Sequence, residues 1–187
     1  MGREIRKVPA NWDHPFKEDR YGRTHYQPMY DRTYQEACAD WLSDFDRIRS
    51  GGMDKFERDC YANVCDWASE NTAPSPEYYR PWSDEEAIWF QVWETVSEGT
   101  PVSPAFETQE ELIQYLADHG DFWDQKRCLE PSWQELWGGT PGVSGWGRDQ
   151  AERFVMGPGW APSMVIADGR VMSGVQAVTQ PAPEVRP

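Results

Sequence analysis

Apolar positions change their spacing several times along the chain. From Thr33 to Gly52, Cys38, Trp41, Leu42, Phe45 and Ile48 recur at helical spacing, with Glu36, Asp40, Asp44 and Arg47 facing away, which predicts an amphipathic helix. Thr33 followed three residues later by Glu36 is a capping-box signature, and Gly51 with Gly52 marks the end. The stretch "MDKFERDCYANVCDWASENTAP" repeats the spacing through Phe56, Cys60, Val64 and Trp67, with Asp54 as an acidic start. An antiparallel helical hairpin is the expected result. From Ala87 to Val96 the period drops to two, as Ile88, Phe90 and Val92 alternate with Trp89, Gln91 and Trp93, and a strand is expected. A second capping box, Thr108 and Glu111, opens a short helix carrying Leu112, Ile113, Tyr115 and Leu116 and ending at Gly120. Between Asp121 and Trp146 the period is lost, so irregular structure with one helical turn around Trp133 to Trp137 is expected. "RDQAERFVMGPG" then predicts a helix with Ala151, Phe154 and Val155 inward, and two short apolar runs about Asp168-Gly169 predict a β-hairpin.

The first thirty-two residues show no sustained period. They read as an extended aromatic and basic arm, either pinned to the body by Trp12, Phe16, Tyr21, Tyr26 and Tyr30 or ordered on a partner. The chain therefore divides into an arm (1–32), an acidic helical hairpin (33–73), an α+β core (74–178) and a disordered tail (179–187). The fold class is α+β, with a small, mostly antiparallel three-stranded sheet and helices on one face.

Charge sharpens this picture. The net charge is −14, and it is unevenly placed: residues 1–32 hold seven Lys/Arg against five Asp/Glu, residues 33–135 seven against twenty-three, and residues 136–187 four of each. Such a field disfavours nonspecific binding to nucleic acid phosphates or anionic membranes and favours either a solvated acidic surface that serves solubility or a basic partner. Eleven tryptophans compensate for a hydrophobic share of only 39%. The opening "MGREIRKVPANWDHPF" lacks an apolar run and no window approaches a membrane span, so a cytoplasmic protein without membrane contact is expected.

Candidate chemistry is sparse. The segment "SEGTPVSPAFET" has the hydroxyls and glycine of a phosphate loop, but Pro101 and Pro104 remove donors, no Lys or Arg lies between Arg80 and Lys126, and Glu94, Glu98 and Glu107 repel anions. Ser97 or Ser103 with His119 lacks a nucleophile elbow. The segment is expected to be a connector, with Val96 ending the strand and Phe106 dropping into the core before the Thr108 cap. Cys38, Cys60, Cys65 and Cys128 have no metal-knuckle spacing and are expected to be buried reduced thiols. No catalytic residue, cofactor or metal site is expected. The candidate partner-binding residues are Glu36, Asp40, Asp44, Asp54, Asp59 and Asp66 on the acidic helices, with Trp146 in the glycine-rich "GGTPGVSGWGRD".

The blocks "ETVSEGTPVSPAF" and "GPGWAPSMVIADGRVMSGV", with a Tyr26-Gln27-Pro28 element and "SPEYYRP" in the same order, resemble a family of small tailed-phage and prophage proteins of uncharacterised function. The resemblance spans about Trp12 to Val175 and brings no catalytic residues. It implies a non-enzymatic accessory protein of the host cytoplasm that binds a host or phage protein. Inhibition of a nucleic-acid-handling defence system of the restriction or CRISPR type is one form of this, and a structural or assembly role is the alternative.

Overall fold

The computed structural model describes residues 2–95, 98–129, 142–167 and 170–180. The fold is α+β, and it divides into two compact units: a sheet body made of residues 1–28 and 82–187, and a helical unit of residues 29–81.

The body is built on a four-stranded antiparallel sheet. Its central pair is β1 (Gly2–Pro9) and β6 (Ala87–Thr95), in register from Gly2 opposite Thr95 to Pro9 opposite Ala87, with an irregularity at Val8/Pro9. β7 (Thr100–Pro101) flanks β6, and β8 (Trp160–Ala161) flanks β1. Residues 2–9 are therefore not part of an arm, and the sheet has four strands rather than three. Opposite residues in an antiparallel pair share a face, so Ile5 with Val92 and Lys7 with Phe90 lie on one side, and Arg6 with Gln91 and Val8 with Trp89 on the other.

Helices cover the first face. α4 (Gln109–His119) and α6 (Arg148–Val155) bury Leu112, Ile113, Leu116, Ala151, Phe154 and Val155 against Val92 and Val102. The Thr108/Glu111 box caps α4 as its sequence predicts, and Phe106, half-buried, packs on this core 5.1 Å from the Tyr115 ring. α5 (Phe122–Leu129) is a regular helix where irregular structure was expected. Its start is fixed by Asp121, whose carboxylate accepts the Asp124 N–H at 2.9 Å, and its apolar Phe122 and Leu129 point to solvent, which removes the helical period from view. β9 (Met164–Ala167) and β10 (Arg170–Ser173) form the expected hairpin, and α7 (Gly174–Thr179) follows with a Ser173/Gln176 capping box. Thr179 is buried and its hydroxyl donates to the Val175 carbonyl, so it belongs to the fold rather than to a tail. The helical turn expected at Trp133 to Trp137, the Asp168-Gly169 turn, Val96 with Ser97, and residues 181–187 lie outside the described residues.

An aromatic layer covers the second face. The hairpin of β2 (Phe16–Glu18) and β3 (Thr24–Tyr26) turns at Asp19, whose carboxylate accepts the Tyr21 and Arg23 N–H groups. In segment 10–28 buried His14 packs on Trp93 of the sheet, Trp12 packs on Trp82, and buried Gln27 accepts a hydrogen bond from His14, while Phe16 and Tyr21 are exposed. The His14 ring meets the Trp93 ring edge-on at 4.8 Å, donates from Nε2 to the Gln27 carbonyl at 2.7 Å and accepts the Trp12 indole N–H on Nδ1 at 3.2 Å. Both ring nitrogens are satisfied only in the neutral form. Burial chiefly, offset by the hydrogen bond to Gln27, lowers its pKa below the ordinary 6.5.

In the helical unit, the two ends of the segment are joined by a parallel pairing of β4 (Tyr30–Thr33) with β5 (Tyr79–Arg80), Tyr30 opposite Tyr79. α1 (Tyr34–Arg49) begins at the predicted Thr33/Glu36 box. The second helix is split into α2 (Lys55–Cys60) and α3 (Val64–Glu70). Asn63 causes the break: in extended conformation its side chain accepts the Cys65 and Asp66 N–H groups, an alternative to helix that asparagine favours. Trp41, Phe45 and Trp67 form the small core between α1 and α3. Leu42, Phe56, Cys60 and Cys65, expected to be buried, are exposed, and Cys38 and Cys128 are only half-buried.

Candidate functional site

The six predicted carboxylates all fall on the helical unit, and most of them already serve the local structure. Glu36 and Asp54 complete capping boxes, and Asp66 accepts the Ala62 N–H at 2.9 Å. Asp40 pairs with Arg32 at 3.2 Å and Asp44 with Arg47 at 3.1 Å. Arg47 also binds Glu57 at 2.7 Å, and hydrogen bonds from Arg47 and from the Asp54 backbone N–H hold Glu57 down at about 2. Glu36, Asp40 and Asp44 recur every four residues and so line one face of α1, where the side chains of Asp40 and Asp44 remain 73% and 55% exposed. Asp59 is exposed on α2. Glu36, Asp40, Asp44, Asp54 and Asp66 are thus held by caps, N–H groups or arginines, and all six carboxylates belong to exposed residues.

Trp146 is different. It belongs to the body, half-buried on the core 5.4 Å from the Phe154 ring, with its indole N–H given to Asp124 at 2.5 Å. It is a packing residue rather than an exposed contact, because its ring completes the core beside α6.

The loop after β6 is structural. The Ser103 hydroxyl accepts the Val92 N–H at 2.9 Å and donates to the Pro104 carbonyl at 2.8 Å, while the His119 ring lies 5.1 Å from that of Tyr115. Both groups are engaged in holding the loop and α4.

Sequence reasoning missed a cleft in the body of about 470 Å³, within the range of small-ligand sites. At its base Arg3 and Asp121 form a buried ion pair through Nε and Oδ2, their side chains 7% and 2% exposed. Asp121 also holds the Asp124 N–H, and Asp124 receives the Trp146 indole and the Arg127 guanidinium. The rim comes from Ser144 and Gly145 and from the hairpin and α7. Gly145 has to be glycine, since a Cβ there would sit 2.3 Å from the Ala117 carbonyl oxygen. Desolvation, partly offset by Asp121 and reinforced by Arg3, lowers the Arg127 pKa. These residues come from segments more than a hundred positions apart, and no local spacing joins them. Among the described residues, no three His, Cys, Asp or Glu side chains converge as a metal ion would require, and no helix is long and apolar enough to cross a membrane.

Comparison with protein-family models, with curated proteins and with solved structures found no match for the chain.

Proposed function

We propose that this chain is a phage or prophage accessory protein that acts by binding, presenting the acidic face of its helical unit to a basic protein partner in the host cytoplasm. The observation that carries the reading is the row Glu36, Asp40 and Asp44, carboxylates that are exposed yet held in fixed directions by a helix cap and by arginines. Ordered carboxylates lose less side-chain freedom on docking than a flexible acidic tail would. The helical unit carries eleven Asp/Glu against six Lys/Arg, which supports steering toward a cationic groove built for phosphates. A nucleic-acid-handling defence complex is the kind of partner that offers such a groove.

The test is inhibition of purified restriction and CRISPR nucleases by the protein, with and without Asp40→Asn, Asp44→Asn and Asp59→Asn combined. Inhibition that weakens about tenfold in the triple variant, and weakens again as salt rises from low to physiological, supports the reading. Inhibition indifferent to both charge removal and salt, or none across the panel, overturns it.

A further inference from the structure

We propose that the cleft lined by Arg127, Trp146 and the β9–β10 hairpin binds a small carboxylate, gripped by the Arg127 guanidinium. The two aspartates at the site are already saturated: Asp121 by Arg3 and the Asp124 N–H, Asp124 by the Trp146 indole and one Arg127 nitrogen. Arg127 uses only Nη2 in that contact, and among the described residues its Nε and Nη1 make no hydrogen bond. Its side chain is 33% exposed, facing a cavity large enough for a ligand. The second hydrogen of Nη2, paired with Nε–H on one edge or with an Nη1–H on the other, matches a carboxylate through two parallel N–H···O bonds while the first stays on Asp124. The Asp124 contact restricts the guanidinium, which reduces the freedom lost on binding. Beyond the fork, the hydroxyls of Ser144 and Ser163 offer polar contacts, while Met172 and Val175 form an apolar wall. The ligand is therefore an acid with a short apolar body. A free organic acid and the C-terminus of a polypeptide share this chemistry. The site is separate from the acidic helix face, and neither reading depends on the other.

The experiment follows the Trp146 indole and Arg127 Nε–H resonances of the full chain in ¹⁵N spectra during titration with benzoate, hexanoate and N-acetylleucine. The matching amides, benzamide, hexanamide and N-acetylleucinamide, serve as controls. Saturable shifts with at least one acid at about 1 mM, absent with its amide, are expected. Tighter binding of N-acetylleucine than of the two simple acids assigns the site to a polypeptide C-terminus, and the reverse order to a free acid. Arg127→Gln should abolish the shifts while leaving the Trp93 indole resonance in place. Arg127→Lys, which keeps the charge but loses the fork, should weaken binding about tenfold and is the deciding variant where Arg127→Gln fails to fold. No saturation with any acid, equal shifts with amides, or unchanged binding in the variants overturns the proposal.

Discussion

In the sheet body Trp93, Leu112, Leu116 and Phe154 are wholly buried, and charge is buried with them, as Arg3 and Asp121 show. In the helical unit the buried apolar set is Met29, Ala37, Ile48, Trp67 and Tyr79, and α1, α2 and α3 each start at a side-chain cap. The body depends on contacts between residues far apart in the chain, whereas in the helical unit caps and ion pairs between near neighbours add to a small core of Trp41, Phe45 and Trp67 and to the Tyr30–Tyr79 pairing. The difference teaches where each unit is vulnerable. Packing and buried charge dominate the first; caps and exposed ion pairs, which respond to pH and salt, carry much of the second.

The largest effect is expected from Asp121→Ala, which leaves the Arg3 guanidinium buried without its carboxylate. Denaturant unfolding should show a loss of about 3–5 kcal/mol, with hydrogen exchange accelerated at Ile5 and Val92. A loss below about 1 kcal/mol would mean that water reaches Arg3 and the pair is not a body-wide anchor. Trp67→Ala should cost about 3 kcal/mol, but the faster exchange should stay within residues 29–81. Spread of that change into β1 and β6 would break the distinction drawn between the units. Asn63→Ala removes the acceptor for two helix N–H groups and should cost about 1 kcal/mol, read as fraying of α3 alone.

Acid should separate the units further. Because burial lowers the His14 pKa, the unfolded chain binds more protons than the fold between that lowered value and 6.5. The stability contributed by neutral His14 is complete above 6.5 and falls away as pH drops through this window. Urea midpoints of the body should decline accordingly between about pH 7 and 5, and His14→Gln should flatten the slope. The smallest effect concerns Glu57, held at about 2 by Arg47 and by the N–H of Asp54. Its contribution is present above the ordinary carboxylate value and is lost only as pH falls toward 2, so its side-chain carboxyl resonance should not move between pH 7 and 4.

Much of this architecture could be read from the chain because its signals are local. Thr33 with Glu36, Thr108 with Glu111, the alternation of β6 and the hairpin flanking Asp168-Gly169 each lie within a few residues. The Ser173/Gln176 box that starts α7 was equally legible and was obscured by the apparent tail behind it. β1 was hidden because its buried positions include Arg3 and Arg6, residues that normally signal solvent. Arg6 is accommodated by the Trp93 ring at 4.5 Å and the Glu98 carbonyl at 3.2 Å, partners about ninety positions away. The cleft was illegible for the same reason, since Arg3, Asp121, Arg127 and Trp146 meet only after the sheet has closed. The acidic face of α1 was visible as spacing, but the arginines that fix it, Arg32 and Arg47, gain their meaning only from the folded geometry.

The pairing of β1 with β6 also sets an order of events during synthesis. Gly2–Pro9 leaves the ribosome before its ladder partner Ala87–Thr95, which follows some eighty residues later, and before Trp160–Ala161, which follows later still. The stretch in between contains the whole of residues 29–81, whose own ends are already clasped by Tyr30 and Tyr79. The acidic helices can therefore form while the central strand of the body is still waiting, with Ile5 and Val8 uncovered. Arg3, Glu4, Arg6 and Lys7 interleave with those two apolar residues, a placement of charge that opposes pairing of an uncovered strand with another chain.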